Sequence, residues 1–352
     1  MTETTAGVIS ETIGEIPFRT SGSANTPVVW WRTEWQLRAE ADVLARELVG
    51  EVDQVVNFAP TDHLFGRLTG ELLPDRLAVD VLNVGHEPTA LPGSAMRKRT
   101  LFACLPSSWV VLRRSLSQLR ELPASMALHG TGPTVDATDE VVSALADTQF
   151  RAVELFGSTE TGGIAHRRIP PHRGSRGPWT LLSDVEFAEC VSEQERYPEG
   201  EWLSVRSPRL ARRSDMTDPP AEWQLSDVVT RKGERSFDFG GRGTDLVKIN
   251  GLRCELSDIA DALREAVPGT DAVCVPVHDS VRGEHYEIFY RCERTLSAGQ
   301  ILQAIRSVLE DVVPPRAVHR VCRIPKTSTG KVPVTQLYAN IEPCADMGGS
   351  CG

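Results

Sequence analysis

The sequence predicts an α/β protein in two parts: a large lobe with a parallel or mixed sheet and a β-rich subdomain, then a small α+β carboxy-terminal domain. Between residues 34 and 158, short apolar runs alternate with helical patterns, which is the rhythm of a parallel sheet. From about residue 178 the helices drop out and turn-separated strand patterns take over. After residue 240 a glycine-rich stretch leads into a smaller unit with helices and strands of its own. At 352 residues and 40% hydrophobic content, the chain exceeds one small core and suits two domains of ordinary size.

In chain order, EWQLRAEADVLARELVG puts Leu37, Ala41, Leu44 and Leu48 on one helical face and stops at Gly50. QVVNFAP, RLAVDVLNVG, TLFACLP and MALHG read as short buried strands, DATDEVVSALADT as a helix and RAVELFGS as a further strand. WTLLSDVEFAEC, EWLSVRS and WQLSDVVT form the β-rich part. In the small unit, LSDIADALREAV is a helix opening on Ser257 as its cap, with Ile259, Leu263 and Val267 on one face. LSAGQILQAIRSVLEDVVPP opens with Ser297 and Gln300 in capping-box spacing. DAVCVPVHD, HYEIFYRCE and AVHRVCRIP supply its strands. The expected division is 1–240, 241–340 and a disordered tail over 341–352, where CADMGGSCG has neither helical nor strand pattern. No internal repeat is present.

The 38 basic and 48 acidic residues leave a formal charge of −10. That balance gives no overall cationic field, which weighs against nucleic acid and anionic membrane surfaces as partners. None of the eight cysteines forms a Cys-x-x-Cys pair, and most lie in apolar runs such as AVCVPV. They read as reduced core thiols rather than a zinc site. The start, MTETTAGVISETIGEIPF, lacks a basic n-region, and no apolar run reaches the roughly 18 residues of a membrane span, so the expected location is the cytoplasm.

Four stretches carry chemistry. RTSGSANTP (19–27) gathers hydroxyls and small residues that could turn N–H and O–H donors toward phosphate oxygens, although Ser/Thr/Gly-rich loops are common. ELFGSTETGG (154–163) follows an apolar strand and so emerges at the carboxyl end of a parallel sheet, where open α/β folds bind ligands. There Glu160 could hold a divalent metal beside Thr159, or could be a solvated turn carboxylate. GGRGTDLVKINGLRCEL (240–256) frames Arg242 and Lys248 with glycines, equally readable as a hairpin carrying surface charges. An RNA-binding Arg-Gly fragment fits the acidic whole poorly. Asp227 could accept from sugar hydroxyls or be a loop carboxylate. KTSTGKVP (326–333) aims Lys331 between a flexible run and a Val-Pro stop.

In order and rough spacing these stretches resemble the adenylate-forming superfamily: acyl-CoA synthetases, aryl-acid ligases and the adenylation domains of peptide synthetases. TSGSANTP is similar to the family's phosphate loop, FGSTE to its aromatic-Gly-x-Thr-Glu motif, and EGEWLSVRS to its Gly-Glu-Leu strand. GRGTDLVKINGLRCE is similar to its hinge motif, and PKTSTGK to its Pro-x-Thr-x-x-Gly-Lys signature, the most specific of the five. Agreement runs from Thr20 to Lys331.

The resemblance implies ATP and Mg²⁺ as cofactors, a small carboxylic acid, aryl or short acyl, as substrate, and coenzyme A or a pantetheinylated carrier protein as acceptor. It implies phosphate contacts from Thr20, Ser21, Gly22 and Ser23, with Thr159 on the α-phosphate and Glu160 on the metal. Phe156, beside Gly157, would pack on adenine. Gly130 and Pro133 in HGTGP would line the adenine and acyl pocket, with Gly132 between them. Asp227 and Arg242 would take the ribose hydroxyls. NFAPTDHLFGRLTG resembles the family's substrate-pocket segment and places His63 at the acyl site, with Lys248 reaching the pocket from the hinge motif. Lys331 would be the catalytic lysine, and the small domain would be mobile, withdrawing that lysine and presenting the hinge-motif face for thiol attack.

Activating a carboxylate sets one anion against another, so a bridging ammonium and Mg²⁺ neutralise the charge that builds. Losing such a cation costs on the order of 3–4 kcal/mol. The chain also departs from the family. The phosphate loop begins at Thr20, so the preceding subdomain is expected to be missing or reduced, with a homodimer contact or partner subunit rebuilding the pocket wall. Asn25 and Val28 stand where a glycine and a lysine are usual, and Thr244 stands where a hinge Asp or Lys is usual. The rival readings are an adenylate-forming enzyme that serves an amine or other nucleophile, and a non-catalytic nucleotide-binding relative.

Overall fold

The structure is a computed structural model that describes residues 14–20, 28–85, 89–91, 93, 98–172, 176–189, 200–242, 246–250, 252–309, 312–325, 332 and 334–341. For Thr20 and Arg242 it describes the strand position alone. Ser21, Gly22 and Ser23, expected to contact phosphate, lie outside the described residues, as do Lys331 and the tail from 342.

Among the described residues the large lobe is built on an eleven-stranded mixed sheet. In spatial order it runs Glu186–Phe187, Glu201–Arg206, Trp223–Gly233, Ser236–Arg242, Trp179–Leu181, Gly162–Arg168, Phe150–Ser158, Ser125–His129, Thr100–Cys104, Gln54–Asn57 and Asp80–Asn83. The last five are mutually parallel, and everything on the other side of Phe150–Ser158 is antiparallel. Alternate residues of the parallel strands feed two cores. Val55, Leu101, Met126, Leu128 and Val153 pack under the helix Glu34–Glu47. Val56, Phe102, Ala127 and Ala152 pack under the helices Ser108–Arg114 and Asp136–Ala144. Burial on both faces is why these strands read as unbroken apolar runs rather than alternating ones.

A three-stranded sheet joins Glu15–Thr20, Val28–Thr33 and Arg212–Arg213, so the residues on either side of the expected phosphate loop pair with each other, Thr20 opposite Val28. The helix Glu34–Glu47 starts at a capping box in which Thr33 and Gln36 satisfy each other's backbone N–H groups.

The small sheet has five strands, with Gly283–Arg291 central to Asp271–Asp279, Ala317–Arg320 and the hairpin Leu246–Ile249/Leu252–Glu255. The helices Leu256–Ala266 and Ala298–Arg306 bury Ile259, Leu263, Ile301 and Ile305 against one face. Leu337, from the helix Val334–Ala339, packs with Val275, Phe289 and Val321 on the other. Ser297 and Gln300 form their expected capping box. Ser257 does not cap: the helix begins at Leu256 with Glu255 as its N-cap residue, because the strand Leu252–Glu255 runs straight into it.

The sequence pattern also missed a helical stretch from Leu64 to Leu77, split by a π-helical turn over Leu68–Leu72. Gly66, Gly70 and Pro74 obscure its periodicity. The Leu73 N–H reaches back to the Leu68 carbonyl immediately before Pro74, which has no N–H to continue the ladder. Cys104, Cys254, Cys274 and Cys292 are buried as expected of core thiols, whereas Cys322 is exposed. Among the described residues no helix is long and apolar enough to cross a membrane.

Candidate active site

The five parallel strands all end at one edge of the large sheet, and six of the singled-out residues follow those ends. His63 comes after Gln54–Asn57, the Gly130–Pro133 turn after Ser125–His129, and the Thr159–Glu160 turn after Phe150–Ser158. The ring of Phe65, two residues beyond His63, lies against Gly130, where an added Cβ would come within 2.8 Å of its Cε2. Gly157 is obligatory: a Cβ there would sit 2.1 Å from the Gly162 carbonyl oxygen across the hairpin. His63 itself is half-buried at the head of the helix Leu64–Arg67 and makes no side-chain capping bond.

The small unit sits on this edge. Lys248 Nζ donates to the Gly157 carbonyl at 3.1 Å, and its own N–H donates to Glu284 Oε2 at 2.7 Å. Gly132 faces the Lys248 carbonyl and the ring of Pro106. Gly283, at φ +83°, lets the turn before the central strand press on Pro133, whose carbonyl oxygen would be 2.6 Å from any Cβ. Lys248, Gly132, Pro133 and Gly157 are therefore brought together.

Asp227 and Arg242 stand opposite each other on neighbouring antiparallel strands, and Asp227 is 9% exposed. Phe156 reaches toward that part of the sheet, meeting Phe237 edge-on at 5.8 Å and Phe239 at 6.0 Å, with Trp179 at 5.2 Å on another side. Glu160 is buried, and its carbonyl accepts from the Ala211 N–H.

Sequence reasoning missed two buried polar networks behind the turns. His129 accepts from Trp109 Nε1 at 2.9 Å through Nδ1, which fixes the hydrogen on Nε2, and Nε2 then donates to the Gly132 carbonyl at 2.9 Å. Burial holds the imidazole below its ordinary range, against the opposing charge of Glu154. The second network ties Arg32, Glu40, Arg209 and Asp184 beneath the Thr159–Gly163 turn. Its signal was legible: Glu40 falls on the same helical face as Leu37, Ala41 and Leu44, where a charge has no solvent, and Arg32 interrupts the apolar strand VVWWRT.

Two 4-coumarate–CoA ligases resemble this chain in sequence. That of Halorhodospira halophila is 31% identical over 268 residues, and that of Rhodobacter capsulatus 27% over 291, covering 75% and 80% of this chain. In sequence the chain is similar to these acid–CoA ligases of the adenylate-forming superfamily. It spans 59% and 64% of the lengths of these two relatives. No family model matches the chain. The adenylate-forming fold is matched by the o-succinylbenzoate CoA synthetase of Bacillus subtilis, at a TM-score of 0.69 and 17% identity, over 92% of this chain and 69% of that one. The mixed α/β large sheet and the smaller sheet of the chain are those of this fold.

Proposed function

We propose that the chain activates a small carboxylic acid with ATP, forming an acyl adenylate, and passes the acyl group to the thiol of coenzyme A or a pantetheinylated carrier protein. The observation that carries this reading is the seating of the hinge-motif hairpin on the carboxyl edge, through Lys248 Nζ and the Gly157 carbonyl. A lobe that held reactants alone would need no second lobe against its strand ends.

The large lobe, through residue 240, would hold the reactants, and residues 241–340 would carry the moving cation. Thr20, Ser21, Gly22 and Ser23 would present donors to phosphate oxygens, Asp227 and Arg242 would take the ribose hydroxyls, and Phe156 would meet adenine. The turns at Gly130–Pro133 and His63 would border the acyl pocket. Magnesium asks for one or two carboxylates and completes its shell with water and phosphate oxygens. The Glu160 carboxylate, on the turn after a parallel strand, fits that demand, and among the described residues no group of three or more His, Cys, Asp or Glu could cage a metal instead. When bound, the ion would draw charge from the phosphate oxygens.

In the first step a carboxylate oxygen attacks the α-phosphorus and pyrophosphate leaves, with Thr159 donating to the α-phosphate and the Lys331 ammonium bridging the two anions. In the second, the acceptor sulfur attacks the acyl carbon, AMP leaves and the thiol proton is released. The hairpin at the edge supports this second step, in which the hinge-motif face meets the adenylate. Acid-dependent exchange of pyrophosphate into ATP across an acid panel, followed by product analysis with thiol and amine acceptors, tests the reading. A thioester product is expected. An amide would favour the amine-acceptor reading, and no exchange with any acid would leave a nucleotide-binding relative.

A further inference from the structure

We propose that Arg32 is a positioning residue that couples the strand following the phosphate loop to the Thr159–Glu160 turn, so that nucleotide phosphate and metal sites are set by one buried guanidinium. The inference rests on the function proposed above.

Arg32 lies on the strand Val28–Thr33, immediately after the phosphate loop, and is fully buried. Its Nε and Nη2 both donate to the Thr159 carbonyl, at 3.2 and 3.0 Å, and its Nη1 donates to the Arg209 carbonyl at 2.6 Å. Two donors from a planar fork hold one carbonyl in plane, which fixes the Thr159–Glu160 peptide and the direction in which both side chains leave it. The far end of the turn is held by the same network. Glu40 Oε1 accepts from the Gly163 N–H at 2.6 Å, Arg209 Nη2 donates to the Gly163 carbonyl at 2.9 Å, and Asp184 accepts from Arg209 Nε and Nη2 at 2.6 and 2.9 Å. Glu40 lies 3.8 Å from Arg32 Nη1 and 3.3 Å from Arg209 Nη1, so its carboxylate is shared by two buried cations, and Arg209 has Asp184 as a second partner.

A network meant only to fill the core would be better replaced by apolar side chains, because two desolvated guanidinium groups are expensive to bury. Here Arg32 Nε and Nη2 and Arg209 Nη2 all donate to backbone carbonyls of the turn that carries Thr159 and Glu160. The negative charge of Glu160 also acts on Arg32, alongside that of Glu40. Loading the metal site would therefore be felt at the strand leaving the phosphate loop, and the reverse.

The test compares wild type with Arg32→Lys, which keeps the charge and loses the fork, and with Glu40→Gln, which keeps a carbonyl oxygen for Gly163 and loses the compensating charge. ATP binding is measured by calorimetry with and without Mg²⁺, beside thermal unfolding and the KM for ATP and for the acid. The expected result is ATP·Mg²⁺ binding weakened about 10–100-fold in Arg32→Lys, with binding of metal-free ATP weakened less and the acid KM unchanged. Glu40→Gln is expected to shift in the same direction by a smaller factor, and it supplies the readout should Arg32→Lys fail to fold. Unchanged ATP·Mg²⁺ affinity in a folded variant of lowered melting temperature would overturn the coupling and leave a structural role. A wild-type chain that binds no ATP would overturn the proposed function and this inference with it.

Discussion

Arg32 donates twice to the carbonyl of Thr159, a residue 127 positions later in the chain, from a fully buried guanidinium. The strand Val28–Thr33 and the Thr159–Glu160 turn are thereby one mechanical unit, although they belong to different sheets. Burial lowers the Arg32 pKa to about 10, with Glu40 pulling the other way, so the group stays charged at neutral pH.

Removing that counter-charge is costly. Glu40→Ala leaves Arg32 and Arg209 buried without their shared carboxylate, and the expected loss is about 3–5 kcal/mol of folding stability. Urea unfolding measures it. Glu34→Ala, on the exposed side of the same helix, should change little.

Lys248 should separate the two proposed half-reactions. Lys248→Ala removes the Nζ contact to Gly157, and thioester formation is expected to fall by about 100-fold through misplacement of the hairpin. Pyrophosphate exchange, which precedes that docking, should change far less. Parallel exchange and thioester assays check this.

Asp227 stands opposite Arg242, and the pair is proposed to take the ribose hydroxyls. Asp227→Ala should raise the KM for ATP by about 10–100-fold, the value of one charged hydrogen bond, and leave the KM for the acid unchanged.

His129 predicts a pH response of definite sign. Its folded pKa is depressed by burial, so its contribution to stability is present above the unfolded imidazole value of about 6.5 and is lost as pH falls below it, when only the unfolded state readily takes the proton. Protonation would also set an N–H on Nδ1 against the Trp109 donor. Melting temperature measured across that range should fall more steeply for wild type than for His129→Gln, the difference being the share of this residue, since His166 and His285 are shifted in the same direction.

The parallel strands were legible because two-sided burial writes them as apolar runs, and Ser297 with Gln300 announced a helix because both groups of the capping box are local. The turn residues were legible because their order along the chain follows the strand ends. What stayed hidden was held by distance in sequence. Arg32 and Thr159, or Trp109 and His129, meet only when the sheet closes, and no local spacing records it. The stretch Leu64–Leu77 was hidden for another reason: its glycines are forced by close contacts to Pro60 and Asn57 and break the pattern that a helix would otherwise print.

A cation from the small lobe is proposed to offset the repulsion between carboxylate and α-phosphate. This role is tested most directly by acid-dependent pyrophosphate exchange in wild type and Lys331→Ala, at saturating ATP and acid. Exchange is expected in wild type with at least one acid, with a fall of about 10²–10³-fold in the variant. Exchange that proceeds at the same rate in Lys331→Ala would contradict it.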